Sequence, residues 1–398
     1  MTAGPTPTQA SGVRRRPRPR LRWLLIGALI VLPLIAGEIG IRTLITAGRL
    51  PVAAAPAGEE IWAYQADWPV LDVAIVGDSI SHSGIDPAVL GDLLEEHTGE
   101  PFAVYDLAVP GHGPGTSLAM LRELERQGRL PRLVILGLSA VTLRADNPGD
   151  RLFLRSPMGE LFEDCEGVEG IARIVDCRVS QVSALWRWRG RPVAIWKGVR
   201  GTYLRHGVGG RNLRRDGFAE GPSRSVAHLR GQIEKGLKGE PVEMALAPGV
   251  AADYRELVAF LREHGSDALG VLIPYSPVYA EALEARWPGW DLARLDAARA
   301  LSEAIDAPII DPGQLGSWWG DGMSQNIKHL SGPGAEAFTR QVWQADGFRD
   351  AVTDALGTQG PVAPSSTAPW APGVQRVGAT SRTALARPSG LTRARLTP

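Results

Sequence analysis

Five short apolar runs constrain this chain most: LDVAIVG (71–77), FAVYDLA (102–108), RLVILGL (132–138), ALGVLIP (268–274) and APIID (307–311). Each is too short for a core helix and too continuously apolar for a strand with one wet face, so each reads as a strand covered on both sides. Between them lie stretches with helical spacing, at about 86–96, 115–127 and 253–264, then helical material to about 305 and a last helix from about 333. Strands alternating with helices predict an α/β chain: a three-layer, doubly wound fold with a five-stranded parallel sheet.

The ends of the chain are of another kind. Residues 1–22 are rich in Pro, Thr and Arg and read as a disordered tail. Arg14, Arg15, Arg16, Arg18, Arg20 and Arg22 abut an uncharged run from Trp23 to Gly37, which continues past Glu38 as IGIRTLIT. The uncharged part alone is short for a bilayer span of about 20 residues. The whole of 23–47 therefore reads as one transmembrane anchor, with Glu38 and Arg42 paired across one helical turn near its far end. Arginines before the span predict a cytoplasmic N-terminus and an extracytoplasmic remainder, a single-pass cell-membrane protein. A cleaved signal peptide is the rival, with PVAAAPA offering small residues, but that site lies far beyond a normal apolar region. Residues 48–69 read as a linker, 70–350 as the folded domain, and 351–398, dominated by Pro, Ser, Thr, Ala and Gly, as a disordered tail.

An insertion at about 144–252 breaks the strand–helix rhythm. Between Arg178 and Arg215 it carries ten Lys/Arg and no acid, with Trp186, Trp188 and Trp196. A solvated insertion, a lid, a site for an acidic glycan and a surface lying on anionic lipid heads all fit that pattern. No nucleic-acid module is present, and a net charge of zero singles out no partner. Cys165 and Cys177 form either one disulfide or two thiols. No zinc-ligand spacing and no phosphate-loop motif occurs, so neither metal nor cofactor is expected.

The chemistry concentrates at Gly77-Asp78-Ser79-Ile80, where the first strand ends. In a doubly wound sheet ligands gather at that edge, and a serine there exposes both its hydroxyl and its backbone N–H to the crevice. VAIVGDSIS, with YDLAVPGHG after the second strand and HLSGPGAEAF near the end, resembles the motif blocks of the GDSL/SGNH hydrolase family, over about residues 70–345 without the insertion. That resemblance implies an SGNH, flavodoxin-like sheet with Ser79 as nucleophile and His329 as base. The N–H groups of Ser79 and Gly111 would form the oxyanion hole, with Gly113 second in line. Three positions depart from the pattern. The third block, LVILGLSAV, lacks the oxyanion asparagine, so Ser139 or a backbone N–H would have to stand in. The residue three before His329 is Asn326 rather than aspartate, which leaves Asp321 or Asn326 to orient the histidine, with Asp321 preferred for its charge. Asp106 occupies a place where relatives often have asparagine, in a catalytic or a structural role. His82 and His112 read as solvent-facing near the crevice, with substrate contact as the alternative.

The anchored layout is similar to membrane-tethered SGNH-like proteins of envelope polysaccharide O-acylation, which work beside a multi-pass acyltransferase. The resemblance thus implies an esterase or O-acyltransferase acting on an acylated carbohydrate of the cell envelope. A weakened SGNH fold that serves as a glycan-binding or assembly subunit is the other reading.

Overall fold

A computed structural model describes residues 19–47, 49–50, 71–144, 171–189, 192–200, 214, 216–238 and 244–357. In chain order these form α1 (Pro19–Thr46), β1 (Val73–Val76), a 3-10 turn (Ser81–Ser83), α2 (Pro87–Thr98), β2 (Val104–Asp106), α3 (Pro114–Arg126), β3 (Leu133–Leu138) and α4 (Ala140–Arg144). The insertion follows with α5 (Ile171–Val182), α6 (Ala184–Arg187), α7 (Pro192–Val199), α8 (Val226–Arg230) and α9 (Ile233–Lys238). The chain then closes with α10 (Pro248–Glu263), β4 (Asp267–Leu272), α11 (Pro277–Arg286), α12 (Trp290–Ile305), β5 (Ile309–Ile310), α13 (Gly332–Gln344) and α14 (Phe348–Gly357).

All five strands fall on the five apolar runs and pair in parallel in the order β2-β1-β3-β4-β5. β1 and β3, in the middle, are buried at every residue, as strands with both faces covered must be. The order reverses between β1 and β3, so the crevice beyond their C-terminal ends is where a ligand site is expected. Helix starts follow local chemistry. Asp86 caps α2 by accepting from Ala88 and Val89 N–H, with Pro87 at the first helical position, and Ser331 caps α13 by accepting from Gly334 N–H.

Two boundaries move. The domain runs through α14 to Gly357, beyond residue 350, because Phe348, Val352 and Leu356 bury an apolar face against the sheet domain. Leu50, placed in the linker, is fully buried in a small cluster with Ile41, Ala184 and Trp188. The end of α1 is thereby packed into the insertion. Glu38 and Arg42 form the expected ion pair. Glu38 also accepts from Ser183 Oγ (2.8 Å) and from the N–H groups of Ala184 (3.0 Å) and Leu185 (2.8 Å), capping α6. Cys177 is buried and disulfide-bonded. Cys165, residues 1–18 of the N-terminal tail and residues 358–398 of the C-terminal tail lie outside the described residues, and α1 begins at Pro19, four residues before the expected anchor.

Candidate active site

β1 ends in Gly77, whose φ of +150° is a conformation L side chains rarely adopt. A Cβ there would sit 2.3 Å from Ser81 Oγ and 2.7 Å from the Gly137 carbonyl oxygen, so only glycine lets the turn close against β3. Asp78 then organises the turn. Its Oδ1 accepts from the N–H groups of Ile80 (2.8 Å) and Ser81 (3.2 Å), and its Oδ2 accepts from Ser139 Oγ (3.1 Å). Burial pushes the Asp78 carboxyl above its usual range, and the hydrogen bonds from Ser81, Ile80 and Ser139 pull it part of the way back. Ser79, between Asp78 and the two N–H groups it holds, faces a cavity of about 370 Å³.

His329 reaches Ser79 from the loop after β5. Ser276, at the C-terminal end of β4, holds that loop with both its N–H (3.1 Å) and its hydroxyl (2.9 Å) on the Ile327 carbonyl. Gly334, in the first turn of the following helix, lies so close to Met323 that a Cβ would overlap the Met323 carbonyl oxygen. Held this way, His329 Nε2 lies 2.8 Å from Ser79 Oγ, and its Nδ1 lies 2.9 Å from Asn326 Oδ1. Asn326 Oδ1 also accepts from the N–H groups of Lys328 (2.9 Å) and His329 (3.0 Å). Those two donors require the oxygen, not the amide nitrogen, to face the ring. Nδ1 must then carry the proton, and Nε2 is left to accept from the serine hydroxyl.

Asp321, preferred on charge as the third member, is elsewhere. Its Oδ1 accepts from Val226 N–H (2.6 Å) at the start of α8. The SQNIK loop turns Asn326 toward the imidazole instead, because an Asx turn over Lys328 and His329 satisfies two backbone donors at once. Ser139 is fully buried and donates to Asp78, so it supports the turn that carries Ser79 and is not among the cavity's lining residues. Gly111 has a φ of +76° in the loop after β2 and is likewise outside the lining set.

Two features escaped the sequence. His82, expected to face solvent, is buried, with Nδ1 3.1 Å from Asp106 Oδ2, although it borders the cavity. Asp106 Oδ1 accepts from Ala108 N–H (2.8 Å). Burial raises the Asp106 carboxyl above its usual range, and the charge and hydrogen bond of His82 offset part of that. No single-residue pattern marks such a pair, since its members come from two turns 24 positions apart. His112, half-buried, points Nδ1 at the Pro110 carbonyl oxygen (2.8 Å).

The second missed feature is the insertion's return leg, which forms one wall of the cavity with Ala219, Glu220, Gly221 and Pro222. Arg214 pins that leg down by a two-pronged bond to Asp86 and further bonds to Asp216, while lying 4.7 Å from the centre of the Phe218 ring. Burial alone would lower the Arg214 pKa, but the bonds to Asp86 and Asp216 outweigh it and raise it. Arg224 extends the wall by a bridge to Ser324. Among the described residues no cluster of His, Cys, Asp and Glu suits a metal ion.

Serine, imidazole and amide in a row, at the C-terminal edge of a parallel sheet, are an arrangement able to activate a hydroxyl for attack on a carbonyl. No protein-family model and no curated protein matches the sequence. Among solved structures the chain is similar to TesA, at 14% identity and a TM-score of 0.32 over 72% of this chain and 99% of that one. It is also similar to a GDSL-like lipase from Parabacteroides merdae, at 13% identity and a TM-score of 0.29 over 72% of this chain and 95% of that one. Both likenesses are too distant to carry a functional argument.

Proposed function

We propose that this protein is a membrane-anchored serine esterase or O-acyltransferase, with Ser79 as nucleophile, His329 as general base and Asn326 as the residue that orients the base. The observation that carries the reading is the unbroken line from Ser79 Oγ to His329 Nε2 and from His329 Nδ1 to Asn326 Oδ1, with contacts of 2.8 and 2.9 Å. Ser79 attacks the ester carbonyl and its proton passes to His329 Nε2. The alkoxide leaving group takes that proton as it departs, and a second hydroxyl, of water or of a sugar, then releases the acyl group by the reverse sequence. The N–H groups of Ser79 and Gly111 are our candidates for the oxyanion hole.

The substrate class in this reading is an acyl ester of an exported, cell-envelope carbohydrate, and a multi-pass acyltransferase is the proposed partner. The polar rim of Glu220 and Gln325 at the cavity suits hydroxyl-rich ligands better than a long acyl chain. The anchor is supported by the apolar helix, and the burial of Ile41 and Leu50 in the insertion favours a retained anchor over a cleaved signal. The alternative, a catalytically silent binding subunit, is disfavoured by the serine–histidine contact. The test is p-nitrophenyl acetate turnover by the full chain in detergent, beside Ser79→Ala and His329→Ala. Each variant should lose about 10⁴-fold or more in kcat. Equal turnover by all three would return the fold to a binding role.

A further inference from the structure

The insertion touches α1 only from Gly37 onward and along one side, since Ile39 stays 60% exposed. A Cβ at Gly37 would touch the Leu185 side chain at 3.3 Å, Glu38 caps α6, Arg42 donates to the Val182 carbonyl, and Leu50 lies against Gly198 of α7. Before that point α1 is bare: Trp23, Leu29, Leu32 and Leu34 are exposed. The uncharged run, Trp23 to Gly37, is 15 residues, about 22 Å of helix at the usual rise. A hydrocarbon core is about 30 Å thick, so about 8 Å is unaccounted for.

α6 and α7 pack against one side of the helix beyond Gly37, the last residue of α5 meets it at Arg42, and α5, α6 and α7 carry exposed large apolar side chains. Ile171 is 82% exposed, Val193 69% and Val182 68%, with Trp196, Val199 and Trp186 also exposed. Cations stand over both exposed indoles, Arg189 4.5 Å from the Trp186 ring centre and Arg200 4.8 Å from that of Trp196. From Ile171 to Arg200 there are seven Lys/Arg and a single acid, Asp176, which accepts from Arg189. Exposed aliphatics, indoles with a cation at their rim and an excess of positive charge are the composition of a helix lying in a lipid interface, where the apolar face sinks about 5–10 Å. That depth matches the missing length.

We infer that α5–α7 form a collar embedded in the outer headgroup layer of the membrane beside the exit of α1, with lipid as its occupant. The inference rests on the reading of α1 as an anchor. The collar thins the span the helix must cross and fixes the catalytic domain against the bilayer. Acyl esters at or near the membrane surface then fall within reach.

Single cysteines introduced by Leu32→Cys, Val193→Cys and Leu292→Cys test this, each labelled with an environment-sensitive nitrobenzoxadiazole in the full chain, native cysteines left oxidised. All three positions are exposed, so the fold should tolerate them. The proteins are reconstituted into phosphatidylcholine–phosphatidylglycerol vesicles carrying nitroxide lipids, with the nitroxide either high on the acyl chain or near its end. The label at Val193 should be quenched about twofold by the shallow nitroxide and less by the deep one. The label at Leu32 should be quenched by the deep nitroxide, and the label at Leu292 by neither. Quenching at Leu32 with none at Val193 would overturn the collar while leaving the anchor intact. The same holds if Val193 is shielded only in native membranes, which would assign the face to a protein partner. No quenching at Leu32 would remove the anchor and the collar together.

Discussion

His329 and His82 both border the cavity in front of Ser79, yet one leans on a neutral amide and the other on a buried carboxylate. The pairing that looks stronger on paper, an imidazole beside an aspartate, is the one placed away from the nucleophile. Desolvation explains the division. Asp106 is fully buried, and taking a carboxylate out of water costs more than one imidazole contact returns, which is why its pKa is raised despite His82. Asn326 has no such cost. It fixes the tautomer of a half-buried base with three hydrogen bonds, but it cannot stabilise an imidazolium by charge. In the proposed mechanism the first pair does the chemistry, while the second ties the turn after β1 to the end of β2.

The largest effect that could break this contrast is at Asn326. Asn326→Leu removes the acceptor that sets the tautomer, and kcat/KM on a p-nitrophenyl ester should fall about 10³-fold. Asn326→Asp keeps the acceptor and adds charge, and should raise kcat/KM about tenfold, a gain of about 1.4 kcal/mol. Both variants within twofold of wild type would mean that Asn326 does not orient the base.

Stability should show the reverse ranking. Asp106→Ala removes the acceptor of the Ala108 N–H and the carboxyl beside the His82 ring in a dry site and should cost about 3–5 kcal/mol in urea unfolding. His329→Ala, at the rim of the cavity, should cost about 1 kcal/mol or less. If the two losses come out equal, the division of labour is wrong. The pH dependence sharpens it further. A carboxyl whose folded pKa lies above its unfolded value holds its proton better in the folded state, so its stabilising contribution is present at low pH. That contribution is lost as pH rises from the ordinary carboxylate range through the raised pKa. The stability of wild type relative to Asp106→Asn should therefore decline with rising pH over that window. A rising difference would show that Asp106 is held ionised by His82.

How legible each part was follows from the same physics. Strand positions were readable because β1, β3 and most of β4 are runs of buried aliphatics bounded by turn residues, while the edge strand β5 is short and half-buried. The partnership of Ser79 with His329 was readable because Ser79 follows β1 and His329 lies in the loop after β5, at the same sheet edge, each in a short motif. Charge favours Asp321 for the third position, whereas turn chemistry favours Asn326. Asp321 has the charge, but Asn326 sits in the Asx turn that delivers an oxygen to the ring. The burial of His82, the donation of Ser139 to Asp78 and the cavity wall at 219–222 depend on contacts between segments far apart in sequence, and nothing local encodes them.

The smallest predicted effect isolates that choice. Asp321 differs from Asn326 in what its side chain holds, the Val226 N–H at the start of α8 and not the histidine. Asp321→Asn retains an amide oxygen for that N–H and loses only a charge near a helix start, a change of about 0.3–1 kcal/mol in stability. Turnover of p-nitrophenyl acetate should stay within about twofold of wild type, since no hydrogen bond to His329 is touched. A loss of about a hundredfold would mean that the loop rearranges to bring Asp321 to the imidazole during turnover. In that event the amide seen here would be a resting-state substitute, and the ranking of the two histidine pairs would have to be reversed.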